Sequence, residues 1–173
     1  MECCEQHCHR MGHYAACCRD DRSPVLLVVW ACPVTIPKSQ YAALPYRRRA
    51  HSLVEILLVT SRDSGRWVIP KGWPIPGLAA HNSAAREAME EGGVLGQVGD
   101  HAIGIYHYNK RLADGFRVRC AVEVFPLKVE QQLGSWPEQA QRDTRWFSVA
   151  DAARAVQEPD LSAIIRSLAM SLV

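Results

Sequence analysis

Nowhere in this 173-residue chain do apolar residues run for the roughly 18 positions a membrane-spanning helix needs, so no membrane association is expected. Internal repeats and long low-complexity tracts are also missing. That leaves a chain sized for one folded domain with a real core and room for a tail. Charge of one sign is not in excess either. Twenty Lys+Arg against eighteen Asp+Glu give a formal charge of +2, too little for a general polyanion-binding surface, and nucleic acid is not expected as a partner. Seven cysteines are present, yet no C-x2-C pair or finger-like spacing accompanies them, so the usual framework of a structural zinc site is lacking.

What is there is unevenly distributed. Cys3, Cys4, Cys8, Cys17 and Cys18 crowd the start of the chain beside His7, His9 and His13. Residues 1–38 are read as a cysteine-rich, poorly ordered leader; a zinc-bound interaction module built on it is the competing reading. The longest apolar run, Val25 to Val34, has the length of a secretory h-region. The segment ahead of it, however, is long, carries Asp20 and Asp21 and lacks a clean small-residue cleavage site, and the expected compartment is the cytoplasm. Cys32 and Cys120 stand alone and suit small apolar filler positions. From Tyr41 to Arg86, seven basic residues face only Glu55 and Asp63, a local field of the kind that steers an anionic ligand.

The pattern along the chain is mixed. Pro33, Pro37 and the Arg47–Arg49 cluster bracket a first strand over Gln40 to Tyr46. Leu53 to Thr60 (LVEILLVT) is an apolar run of strand length, and Arg66 to Ile69 resumes as a short strand after a polar turn. Pro70 stops it, and Gly72, Pro74, Pro76 and Gly77 make a rigid loop that is neither helix nor central strand. From about Ala79 the pattern turns helical and ends at Gly92-Gly93, a natural C-terminal cap. Ala102 to Tyr108 and Phe116 to Leu127 read as strands joined through an Asp114-Gly115 turn. A last strand over Thr144 to Val149 precedes helices over Asp151 to Val156 and Leu161 to Leu168. Strands, an internal helix, strands again and terminal helices imply an α/β layered domain.

The internal helix raises the chemical question. At about 100° per residue, Ala85, Ala88 and Met89 share an apolar face, and Glu87, Glu90 and Glu91 lie together on the other side at i, i+3 and i+4. Exposed like charges at that spacing cost only a few tenths of a kcal/mol, so a solvated acidic face is one reading. A site for a hard divalent cation is the other, because Mg2+ takes oxygen from a few carboxylates and completes its shell with water and phosphate.

The loop ahead of the helix separates the two readings. Gly72, Arg86, Glu87, Ala88, Glu90, Glu91, Gly93 and Val94 fall in register over 23 positions. The segment closely resembles the Nudix box, G-x5-E-x7-R-E-U-x-E-E-x-G-U with U apolar. One position departs: Leu78 stands where the pattern has its first glutamate. The WVIPKGW entry and the later TRWFS followed by a helix resemble the diphosphoinositol polyphosphate phosphohydrolase branch and its bacterial relatives. The resemblance covers roughly Gln40 to Leu168. It implies a Nudix-type α/β/α sandwich with a mixed sheet over residues 39–170.

The resemblance also implies chemistry, namely hydrolysis of a diphosphate linkage by water in a phosphorylated small-molecule substrate, with Mg2+ or Mn2+ as cofactor. By position, Glu87, Glu90 and Glu91 would hold the metal, with a backbone carbonyl of Lys71 or Gly72 completing the shell. Arg86 would orient the neighbouring carboxylates. The general base is expected at Glu90 or at Glu138, which sits in SWPEQAQR ahead of the last strand. Lys71, Arg62, Arg66, Lys110 and Arg111 are candidates for outlying phosphates, where an arginine fork suits phosphate geometry. The expected substrates are diphosphoinositol polyphosphates or dinucleoside polyphosphates. A nucleotide-sugar or nucleoside triphosphate pyrophosphohydrolase and a Nudix-fold module that binds without hydrolysis remain as alternatives.

Overall fold

In the computed structural model, residues 37–49, 53–111 and 115–172 are described. The cysteine-rich leader through residue 36, with the Val25 to Val34 run, Cys32 and Pro33, lies outside them, as does Asp114 of the expected turn. The elements are β1 (Lys38–Arg48), β2 (Val54–Thr60), β3 (Trp67–Val68), β4 (Lys71–Gly72), α1 (Ala80–Gly92), β5 (Val94–Val98), β6 (Gly104–Arg111), β7 (Arg117–Gln132), β8 (Thr144–Ser148), α2 (Val149–Ala155) and α3 (Pro159–Ser171). All eight strands join one sheet. Its centre is a parallel pair, β1 with β7, and every other pairing is antiparallel. The sheet is therefore mixed.

Helices cover both faces, and the two-residue period of the strands sorts side chains between them. Ala42, Leu44, Ile56 and Leu58 point to one side and pack with Leu161, Ile165 and Leu168 beneath α2 and α3. Ala43 and Leu57 point to the other and pack with Ala84 and Ala88 of α1 and with Phe125 and Leu127. Ile56 through Val59 are all fully buried, because a strand sandwiched between helix layers has no solvent face. That is why LVEILLVT reads as a continuous apolar run. The α/β/α sandwich expected from the sequence is present.

Three local expectations are corrected. The packed face of α1 is Ser83, Ala84, Ala88, Glu91 and Gly92, while Ala85 and Met89 are only half-buried. Small residues let the helix lie close on the sheet; a Cβ at Gly92 would already sit 3.1 Å from Leu57. Glu91 thus belongs to the inward side and not to a free acidic face. Secondly, Lys71–Gly72, expected as pure loop, pairs with Tyr41 and Ala42 of β1. Thirdly, Val94–Val98 forms an additional strand against the end of β7. The helix does end at Gly93, whose φ of 65° is left-handed and whose N–H is accepted by the carbonyls of Ala88 and Met89.

Both central strands share one edge between two partners. β1 meets β2 through Tyr46–Arg48 and β4 through Tyr41 and Ala42. β7 meets β6 over Arg117–Val124 and β5 over Leu127–Gln132. The β4 turn-off carries the chain out of the sheet directly into the loop before α1, and a cleft opens beside it.

Candidate active site

The cleft has a volume of about 1040 Å3. One wall is α1, which presents Glu87, Glu90 and Glu91. Gly72 faces them from β4, so close that a Cβ there would lie 1.8 Å from Glu87 Oε1. Only glycine lets the backbone approach the carboxylate this way. The opposite walls bring Arg62, Arg66, Lys71, Lys110 and Arg111, and the 133–143 loop brings Glu138. The sequence-nominated residues therefore meet in one place with one exception. Arg86 is exposed on α1 outside the cleft lining and pairs with Glu90 Oε1 at 2.7 Å.

The three glutamates stand in different surroundings. No hydrogen bond or ion pair engages Glu87 among the described residues. Burial, reinforced by the Glu91, Glu90 and Glu138 carboxylates, pushes it up to about 7. Glu90 is held by Arg86. Glu91 is 7% exposed; burial raises its pKa, opposed by Arg142 and Lys71, and its Oε2 accepts the Lys71 backbone N–H at 3.1 Å. The Lys71 ammonium is itself lowered by burial to about 8, with Glu91 pulling the other way.

A residue that sequence reasoning missed ties this together. Arg142, its side chain 6% exposed, donates to Glu91 Oε1, to Glu138 Oε2 at 2.6 Å and to the Thr60 carbonyl at 2.8 Å. Nothing in SWPEQAQR marks this arginine, because its partners are 82 and 51 residues away and 4 residues back. Glu138 is anchored a second time through its N–H, which donates to the Glu90 carbonyl at 3.0 Å. Its Oε1 lies 3.5 Å from Arg62.

The phosphate candidates divide into engaged and free. Arg66 bonds Gln157 at 3.0 Å and Glu158 at 2.9 Å, which turns it toward the start of α3. Arg62 leans on Glu138 and Gln141. Lys110 lies 5.0 Å from the Trp73 ring, and Lys71 lies 5.4 Å from Tyr108, whose hydroxyl donates to buried Gln40 at 2.7 Å. Arg111 is exposed. Two other tryptophans are packed: Trp67 edge-on to Phe147 and Trp146 under Arg47. His81 lies beside Phe125, away from the cleft.

An all-oxygen donor set beside an open backbone cradle suits a hard divalent cation. Among the described residues, however, no three His, Cys, Asp or Glu side chains converge on one point as they stand. The reason is visible: Arg86 and Arg142 hold Glu90 and Glu91, and only Glu87 is uncommitted. The residues fit such an ion in chemistry and placement, with Glu90 needing to turn from its surface partner.

Comparison with known proteins agrees with this arrangement. The NUDIX domain family matches residues 38–168. Nudix hydrolase 21, chloroplastic, of Arabidopsis thaliana is 33% identical over 122 residues, covering 66% of this chain and 57% of that protein, so the chain spans little more than half its length. Diphosphoinositol polyphosphate phosphohydrolase 3-alpha of Mus musculus is 31% identical over 123 residues, 69% of this chain and 70% of the relative. Among solved structures, the C. elegans Ap4A hydrolase superposes with a TM-score of 0.58 at 20% identity, over 80% of this chain and 100% of that one, a likeness of fold. With the family match running from the first residue of β1 into α3 and taking in the glutamate helix, the chain belongs to the Nudix hydrolase family.

Proposed function

We propose that the protein is a divalent-metal-dependent hydrolase of a diphosphate linkage in a highly phosphorylated substrate, a diphosphoinositol polyphosphate or a dinucleoside polyphosphate. The observation that carries this reading is the meeting, within one cleft, of the α1 carboxylates Glu87, Glu90 and Glu91 with the cationic side chains of Arg62, Arg66, Lys71, Lys110, Arg111 and Arg142. Mg2+ or Mn2+ bound by Glu87, Glu90, Glu91 and a Lys71 or Gly72 carbonyl would supply charge neutralisation and a more acidic water. Lys71, Lys110 and Arg111 bind phosphate oxygens, and Arg62 and Arg66 extend that surface. Arg86 orients Glu90 through their ion pair in the metal-free protein and releases that carboxylate to the metal. Glu138 takes the proton from the attacking water, with Glu90 the second candidate. The domain of this activity is residues 39–170, and the compartment is the cytoplasm, both supported by the sequence reading.

The binding-module reading keeps a specific observation in its favour. Leu78, 42% exposed, replaces the pattern's first glutamate, and arginines occupy two of the three carboxylates. Product identification separates the readings. A panel of a diphosphoinositol polyphosphate, a diadenosine polyphosphate, ADP-ribose and a nucleoside triphosphate is incubated with Mg2+, with Mn2+ and with chelator. Turnover that chelation abolishes and added metal restores is expected. Tight binding with no product from any of them would replace hydrolysis by ligand sensing, and preference for ADP-ribose or the triphosphate would move the substrate class.

The pKa shifts give a pH dependence with a defined sign. Glu87, raised to about 7, holds its proton below that pH and must lose it to ligate. Mg2+ affinity of the metal-free protein should therefore strengthen with rising pH, by about tenfold per unit below 7 for one displaced proton, and Glu87→Gln should flatten the dependence. Lys71, lowered to about 8, loses its charge above that pH, so affinity for a phosphorylated ligand should weaken on the alkaline side. Calorimetric titration from pH 5.5 to 9 reads both limbs.

A further inference from the structure

Gln40 shares a face of β1 with the core residues Ala42 and Leu44. It is 1% exposed and yet belongs to the lining of the cleft. Its Oε1 accepts the Tyr108 hydroxyl at 2.7 Å. Burial raises Tyr108 well above the usual phenol range, so that hydroxyl keeps its proton and stays a donor. The amide is thereby pinned. Its oxygen faces Tyr108, and its Nε2 has no partner among the described residues. An amide nitrogen carries two N–H donors, and leaving both unmet on a buried side chain is costly unless something in the cleft accepts them.

The β4 backbone divides that cleft. Tyr41 pairs with Gly72 and Ala42 with Lys71, and side chains alternate across a strand. Gly72 faces Glu87 on the α1 side. Lys71 turns to the α3 side, where its ammonium lies 5.4 Å from the Tyr108 ring, and Gln40 is on that side with it. The glutamates and this group of donors thus flank one short strand from opposite sides.

We propose that Gln40 is a specificity-determining residue whose Nε2 donates to phosphoryl oxygens seated on the α3 side of β4, beyond the linkage held at the glutamates. This rests on the hydrolase reading of the same cleft and narrows it: the substrate carries a phosphoryl group outside the scissile diphosphate. Lys71 and Lys110 are point charges on flexible stems and attract an anion without fixing its position. A planar amide pinned by Tyr108 offers its donors in a set direction, and little freedom is lost when a ligand meets them. A glutamine kept only to receive the Tyr108 hydroxyl has no use for those donors. A carboxylate of the same shape would receive that hydroxyl equally well, and the test turns on this difference.

Calorimetry on the full chain measures inorganic tripolyphosphate in chelator, and Mg2+ alone in a separate titration, for wild type, Gln40→Leu, Gln40→Glu and Tyr108→Phe. Thermal melts report that each variant is folded, and Gln40→Glu, which keeps the shape and the acceptor for Tyr108, carries the test if the leucine variant does not fold. Gln40→Leu should weaken tripolyphosphate by about tenfold or more, the worth of a hydrogen bond to a charged group. Gln40→Glu should weaken it further, by about 100-fold, because an acceptor then meets the phosphoryl oxygens. Tyr108→Phe keeps the amide and removes its pin, so a loss of only about threefold is expected. Mg2+ affinity of Gln40→Leu and Tyr108→Phe should stay within about twofold of wild type. Unchanged tripolyphosphate affinity in either Gln40 variant, or equal weakening of tripolyphosphate and Mg2+, overturns the subsite. Turnover of the best substrate in the panel is followed in parallel, with Gln40→Leu expected to raise KM by about tenfold and to hold kcat within about threefold. Wild-type protein that binds tripolyphosphate through Gln40 and turns over nothing upholds the subsite while removing the hydrolase reading, so the two fail separately.

Discussion

Gly72→Ala should lower kcat/KM by about 100-fold while leaving thermal stability nearly unchanged. The added Cβ would lie 1.8 Å from Glu87 Oε1 and 2.2 Å from its Cδ, closer than any real contact, so something must move. What stands in the way is the far end of a flexible side chain, and Glu87 can swing aside without disturbing β4 or α1. Gly72 has no positive φ, so alanine strains no backbone and keeps the Tyr41 pairing. The displacement exceeds 1 Å at the one α1 glutamate with no hydrogen-bond or ion-pair partner among the described residues, and misplacement of that size costs on the order of 10²-fold in rate. A calorimetric titration should show weakened Mg2+ binding beside an unaltered melting curve. Normal metal affinity in the variant would show that Glu87 is not a ligand.

Arg142→Ala should have the largest effect on stability, about 3–5 kcal/mol, or a fall of roughly 10 °C in Tm for a domain of this size. The guanidinium satisfies two carboxylates and a backbone carbonyl at once. Removing it leaves Glu91 buried and charged with only Lys71, through its N–H and its ammonium charge, to compensate, which is the costly half of breaking a buried pair. Lysine in its place should recover little, because a point charge cannot reproduce a three-way fork. Combining Arg142→Ala with Glu91→Gln should cost less than the sum of the two single changes, since the orphaned charge is then gone. Strict additivity in denaturant melts would mean that Glu91 and Arg142 do not depend on one another.

These two residues also mark how far the sequence could be read. The glutamates, Gly72 and Gly93 were legible because their relations are local: a helical repeat, a fixed loop length and a left-handed cap. The sandwich was legible because β2 and β7 are long and apolar and the terminal helices are periodic. Which side of α1 packs was not. Ala84, Ala88 and Gly92 are too small to announce a buried stripe, so the larger Met89 drew the prediction the wrong way. Two-residue β4 and glycine-interrupted β5 carry no periodicity of their own and exist only through β1 and β7. Arg142 was invisible for the same reason, its meaning lying in Thr60 and Glu91. The tryptophans differ only in what surrounds them, which no local pattern records.

The pairing of β1 with β7 bears on the order in which this chain acquires its shape. Lys38 sits opposite Cys120 and Tyr46 opposite Lys128, a separation of about 82 residues that must close before the sheet has a centre. A nascent chain that has emerged only through α1 has its glutamate helix formed and its second central strand still unmade. Such long-range closure is slow, and until it occurs β1 offers an open hydrogen-bonding edge to any other extended chain. Synthesis that stalls before residue 132 would therefore leave a fragment prone to association, so yield in a recombinant host should respond to elongation rate and chaperone supply.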